Sequence, residues 1–149
     1  MRLSSDNFPI TKKTHDKRLG IVLWFRLSRF YNQSIRETNQ HLKKWDISAA
    51  QFDIIAQVGA AGRIRQQDLA DKLVVTKGNI TQLLHKVELL GWIQREQDWK
   101  TKYVSLTKAG QALFDQIVPV QEHFQAAQFD KLTPSEQKQL LELLKKLKT

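Results

Sequence analysis

Between Leu69 and Lys86 the chain alternates two kinds of residue suited to different tasks. Leu69, Leu73, Val75, Ile80, Leu83 and Leu84 are spaced to bury themselves between two crossing helices, with small Ala70 where the backbones approach. Lys77, Asn79, Thr81, Gln82, His85 and Lys86 fill the positions between. That polar set suits the major groove of duplex DNA, where side-chain amides pair bidentately with adenine and lysine reaches guanine or phosphate. Thr76 is placed to cap the second helix, whose free amides would form a further phosphate site. The spacing is that of a helix-turn-helix. An ordinary solvated helix face would also carry such polar residues, so the neighbouring segments must decide.

Charge and composition narrow the choice. The 149 residues suffice for one domain, and a hydrophobic content of 41% can build a core. Lys and Arg number 24 against 15 Asp and Glu, a net charge of +9 that favours a polyanionic partner. The excess lies in residues 1–45 and 63–107; residues 108–149 are nearly neutral. The longest apolar run, Leu19 to Phe25, is too short to span a bilayer, and the N-terminus does not read as a secretory signal. No cysteine is present, which excludes disulfides, a thiolate nucleophile and a thiol redox switch. No nucleophile, base and orienting group cluster in sequence, so no enzyme is expected. A membrane-binding reading of the charge would need a basic amphipathic helix, and the sharpest motif is of another kind. The expected location is the cytoplasm.

The elements that would position the motif follow from periodicity and caps. Residues 1–17 read as a flexible arm, and a long helix runs from about Leu19 to Trp45. Ser48-Ala-Ala-Gln51 is a capping box opening a second helix, which Gly59-Ala-Ala-Gly62 ends. The third helix spans about Gln66 to Leu73, and the fourth runs from the Thr76 cap to Leu90, closed by Gly91. Trp92 to Arg95 and Tyr103 to Leu106 read as a two-stranded hairpin around a charged tip, Glu96 to Lys102. Thr107 caps a long helix to about Gln128, bent at Pro119, and Thr133-Pro-Ser-Glu136 opens a last, leucine-striped one. The fold class is therefore mainly α with a small β-hairpin wing. A charged hairpin after a recognition helix makes a wing that contacts backbone or minor groove, with Arg95, Lys100 and Lys102 as its cations.

In order and spacing these pieces resemble the MarR (multiple antibiotic resistance regulator) family of winged helix-turn-helix transcription factors from about Arg18 onward. The resemblance rests on Ile47-Ser-Ala-Ala-Gln-Phe52, Leu69-Ala70, Thr76-Lys-Gly-Asn-Ile-Thr81, Leu89-Leu-Gly-Trp-Ile-Gln-Arg95, Ser105-Leu-Thr-Lys-Ala-Gly110 and Leu132-Thr-Pro-Ser-Glu136. It implies a homodimer built by residues 18–47 and 108–149, with residues 48–107 forming the DNA-binding lobe. It also implies a pseudo-palindromic double-stranded operator, repression, and relief by a small, often aromatic or phenolic, ligand. Two departures stand out. The family wing usually carries Asp-x-Arg where this chain has Asp98-Trp99-Lys100, and lysine lacks arginine's planar fork. Val74 stands where a glycine often precedes the recognition helix.

Trp24, Phe25, Phe30, Tyr31, Trp45 and Phe52 concentrate aromatic surface on the first two helices. Their simplest use is packing; the alternative is a cleft for an effector, with Arg29 pairing an acidic ligand. His41 and His123 fall on the two long helices, which leaves a metal-responsive variant of the same fold as an alternative, although neither belongs to a zinc-binding motif. No metal or cofactor is assigned. The remaining alternative is a winged-helix module for protein contact that lacks specific DNA binding.

Overall fold

The computed structural model describes residues 12–73 and 79–147. The elements in chain order are α1 (Lys12–Leu42), a 3-10 turn (Lys43–Trp45), α2 (Ala49–Ala61), β1 (Arg63–Arg65), α3 (Gln66–Lys72), α4 (Ile80–Leu89), β2 (Ile93–Asp98), β3 (Thr101–Leu106), α5 (Lys108–Ala127) and α6 (Pro134–Lys146). The chain divides between Glu37 and Thr38 into two compact units.

The first unit is the larger part of α1. It begins at Lys12, earlier than the Leu19 that apolar periodicity marks. No proline or glycine separates Thr11 from Leu19, so good helix formers such as Lys extend the helix beyond its apolar stripe. Along it Leu19, Val22, Leu23, Trp24, Phe25, Leu27 and Phe30 are all exposed, with Trp24 and Phe25 meeting edge to face.

In the second unit the caps do what their sequences dictate. Ser48 and Gln51 close a reciprocal capping box on α2, as Thr133 and Glu136 do on α6, where Pro134 takes a first-turn position. Gly62 ends α2 and Gly91 ends α4, both with positive φ. Thr107 caps α5, and Pro119 lies inside that unbroken helix. The core draws on every element of the lobe: Ile54 and Ile55 from α2, Leu69 from α3, Leu84 and Val87 from α4, Ile93 and Val104 from the wing, and Ile117 from α5.

Two features of the sheet differ from expectation. It has three antiparallel strands in the order β1-β3-β2, because Arg63–Arg65 pairs with β3 with Ile64 opposite Val104. The polar-apolar-polar triplet buries only Ile64, too short a pattern to register as a strand alone. The hairpin strands also run further than their β-rich residues suggest. Asp98 pairs with Thr101, leaving only Trp99 and Lys100 as the connection, and Trp99 supplies the positive φ of 56° such a tight reversal needs.

Candidate nucleic-acid interface

The helix expected to carry recognition is α4. It begins at Ile80 with Asn79 as its cap, the Asn79 Oδ1 accepting from the Gln82 amide at 3.3 Å. It therefore starts later than a Thr76 cap would place it; Thr76 and Lys77 themselves lie outside the described residues. Asparagine ranks with the strongest caps, and it can supply the missing acceptor only from the position just before the first helical residue. Leu84 and Val87 turn inward to the core, and Gln82, with His85 and Lys86 three and four positions beyond it, is left exposed. Thr81 is exposed beside them.

The wing is braced at its base and at its tip. At the base, Arg95 Nη2 donates to Glu88 Oε1 at 2.9 Å, with the Arg95 side chain only 21% exposed. This hydrogen bond holds the Glu88 carboxyl below its ordinary range, against a partial burial that pushes the other way; the charges of Arg95 and His85 add to the lowering. Arg95 is thus committed to joining β2 to α4. At the tip, Arg63 lies 3.6 Å over the Tyr103 ring and donates to Glu96, with Asp98 at 3.9 Å. Hydrogen bonding to Glu96, outweighing desolvation, holds Arg63 still more firmly charged. Lys100 and Lys102 are exposed on the same hairpin.

A depression of about 370 Å³ links the two parts. Ala70 of α3, Ile80 of α4, and Lys100, Thr101 and Lys102 of the wing line it, together with Arg65. The wing lysines therefore border the start of the recognition helix. Lys86 lies elsewhere, lining a second depression with Asn39, Lys43 and Asp46 where α2 begins. Of the expected polar set, Gln82, His85 and Lys86 are exposed on α4 and Lys100 and Lys102 on the wing, the two wing lysines bordering the Ile80 end of the helix, while Arg95 pairs with Glu88. Sequence reasoning missed Arg63, whose signal was the Arg-Ile-Arg alternation directly after Gly62.

The aromatic residues divide between the units. Trp24, Arg29 and Phe30 are exposed on α1, whereas Phe52 is buried in the core of the second unit with Trp45 packed against it. His41 Nδ1 lies 2.7 Å from Gln121 Oε1, with its ring stacked on Phe124 at 4.2 Å; His123 is exposed. Among the described residues no three His, Cys, Asp or Glu side chains gather as a metal site would need, and no helix is long and apolar enough to cross a membrane.

This arrangement has relatives. The MarR family model matches residues 47–100. An HTH-type transcriptional regulator of Bacillus cereus is 43% identical over 133 residues, covering 89% of this chain and 90% of that protein. The multiple antibiotic resistance protein MarR of Escherichia coli is 32% identical over 109 residues, 70% of this chain and 76% of that protein. Among solved structures, a variant of Escherichia coli MarR complexed with operator DNA aligns with a TM-score of 0.76 at 28% identity, over 85% of this chain and 94% of that one. With the helices α3 and α4, a braced wing and relatives that match over most of both chains, the chain belongs to the MarR family of winged-helix, DNA-binding transcriptional regulators.

Proposed function

We propose that the protein is a cytoplasmic homodimer that binds a pseudo-palindromic operator, represses the adjoining genes and is released by a small aromatic ligand. The observation that carries this reading is that the wing lysines Lys100 and Lys102 line one depression with Ile80 at the start of α4, the helix on which Gln82 and His85 are exposed. Gln82 and His85 read base edges; Lys86, Lys100 and Lys102 hold phosphates, as do Thr76 and Lys77 ahead of the helix. Asn79 keeps its amide N–H groups for DNA while its oxygen caps α4. Arg95 serves the same end indirectly, by fixing the wing's angle to α4.

The exposed apolar stripe of α1 supports dimerisation, and so do Leu141, Leu143 and Leu147, which α6 leaves exposed. Apolar surface on this scale marks an interface, and a second copy related by a two-fold axis would cover it while presenting two recognition helices one DNA turn apart. For the ligand, α1 offers a depression of about 230 Å³ lined by Ile21, Val22, Phe25, Arg26 and Arg29. Two guanidinium groups beside apolar side chains suit a small aromatic acid, with Trp24 and Phe30 on the same helix. Trp45 and Phe52 contribute as the packed base of the lobe rather than as ligand contacts. Such a ligand regulates only by binding the DNA-competent and incompetent dimers unequally.

Fluorescence anisotropy of a palindromic promoter fragment from beside the gene, against a scrambled duplex and across a salt series, tests the reading. The expected preference is about a thousandfold or more, with steep loss as salt rises. Weak, equal binding to both duplexes and to unselected genomic fragments would leave a protein-interaction module in its place.

A further inference from the structure

Trp99 is more exposed, at 83%, than any other large apolar side chain among the described residues, and it stands at the tip of the wing. The turn does not account for it. A positive φ in a two-residue connection calls for glycine or asparagine, and an indole there sits in a backbone conformation that L side chains rarely adopt. The surroundings secure the conformation: Gln97 Nε2 donates to the Trp99 carbonyl at 2.9 Å, and the Asp98–Thr101 pair closes the strands directly below. Nor does packing account for the ring, which is left largely in solvent with the Lys100 ammonium 4.8 Å from its centroid.

The charges around it favour an anionic partner. Both acidic side chains of the tip, Glu96 and Asp98, lie within reach of Arg63, which leaves Lys100 and Lys102 as the uncompensated charge beside the indole. Those lysines also line the depression that runs to Ile80 at the start of α4. The plate is thus apolar, flanked by cations, and continuous with the surface assigned to DNA.

We propose that Trp99 is itself a DNA-contacting residue, its indole seated in the minor groove and favouring A·T pairs there. The inference rests on the DNA-binding reading above and deepens it. An indole offers one N–H donor and no acceptor. The floor of the minor groove at A·T pairs presents acceptors alone, whereas G·C adds an amino donor that opposes the indole N–H and obstructs the ring. Apolar side chains that enter this groove pack against the sugar walls or between base steps, and the flanking lysines reach the phosphates on either side.

The test uses the full-length protein and a duplex selected by it from a random-sequence pool. Hydroxyl-radical footprints of wild type and Trp99→Ala locate the pairs the tip covers. Those pairs are then changed from A·T to G·C, or to inosine·C, which keeps an A·T-like minor groove with a G·C-like major groove. Wild type is expected to bind A·T and inosine·C duplexes alike and the G·C duplex about tenfold more weakly. Trp99→Ala is expected to lose affinity and distinguish none of the three; Trp99→Phe, which keeps the ring and loses the N–H, is expected to recover affinity with a reduced A·T preference. The residue is exposed, so an unchanged circular dichroism spectrum is expected for both variants. Wild-type affinity in Trp99→Ala, or a wild-type penalty for inosine·C as large as for G·C, overturns the assignment while the DNA-binding reading stands. Failure of wild type to prefer its selected duplex over a scrambled one removes both.

Discussion

Arg63 in β1 reaches across the middle strand to Glu96 in β2, with its Nε 3.0 Å and its Nη2 2.5 Å from the same carboxylate oxygen. The register explains the path. Glu96 stands opposite Tyr103, and Arg63 opposite Ser105, so the guanidinium crosses the Tyr103 ring diagonally to reach its partner. The pair is exposed on both sides, and solvent screening leaves such pairs contributing little to stability. Its weight therefore falls on the electrostatics of the wing rather than on the fold.

Arg63→Gln is accordingly expected to fold normally and melt within a few degrees of wild type. It leaves Glu96 and Asp98 uncompensated beside the lysines proposed to meet DNA, so affinity for every duplex should fall severalfold. Ion screening weakens repulsion between exposed charges, so the deficit should shrink as salt rises. Adding Glu96→Gln to the first change should restore part of the binding. Anisotropy at two salt concentrations checks this, and undiminished low-salt binding by Arg63→Gln would remove the electrostatic role.

Gln82 and Lys100 should separate reading from holding. Gln82→Ala removes an amide that can pair with a base edge, so the ratio of operator to scrambled affinity is expected to fall about tenfold. Lys100→Ala should weaken binding to both duplexes equally and lower the slope of log affinity against log salt by about 1. Equal specificity ratios for wild type and Gln82→Ala would take Gln82 out of the base-reading face.

The elements with strong local signals were legible in the sequence. Ser48 with Gln51, and Thr133 with Glu136, mark helix starts because each box satisfies two amides within four residues. Gly62 and Gly91 mark ends because few other residues take positive φ there. What escaped depends on contacts far away in sequence. β1 is a strand only because β3 lies beside it, and a three-residue pattern with one apolar position carries no period of its own. The same holds for the site: the Gln82 face follows from helical spacing, whereas Arg95 is drawn to Glu88 and Arg63 to Glu96 by folding. The sequence offers two capping residues three positions apart, Thr76 and Asn79; the first suits the pattern equally well, and α4 starts from the second.

The Glu88–Arg95 pair predicts a pH dependence. The folded protein holds the Glu88 carboxyl below its ordinary value, so the unfolded chain takes up a proton there first as pH falls. The contribution is fully present above the unfolded value of about 4.5 and is lost as pH drops through the lowered folded value. Glu88→Gln should therefore be less stable than wild type at pH 7, by about 1 kcal/mol for a part-exposed pair. That gap should close progressively below about pH 4.5. Urea denaturation of both proteins at several pH values measures it. A gap that stayed constant into the acid range would mean the carboxylate charge contributes nothing.

Gly110 and Gly59 make a last contrast. A Cβ built on Gly110 would lie 1.9 Å from the Trp92 carbonyl oxygen and 2.8 Å from its carbon, both backbone atoms. That backbone cannot retreat cheaply: the Thr107 amide donates to the Trp92 carbonyl at 3.1 Å, the Thr107 hydroxyl donates to the Gly91 carbonyl, and the Gly110 amide donates back to Thr107 Oγ1 at 3.0 Å. A Cβ on Gly59 would instead meet the Phe114 ring at 2.2 Å, a side chain only partly buried and able to turn aside. Gly110→Ala is therefore expected to cost ~3 kcal/mol or more, since the start of α5 must lift from the strand it seals. Gly59→Ala should cost less, about 1–2 kcal/mol, by moving the ring. Thermal and urea unfolding of the two variants side by side decide the matter. Equal losses would mean that the α5 start shifts as readily as the Phe114 ring turns, and that the Thr107 cap does not fix α5 against Trp92.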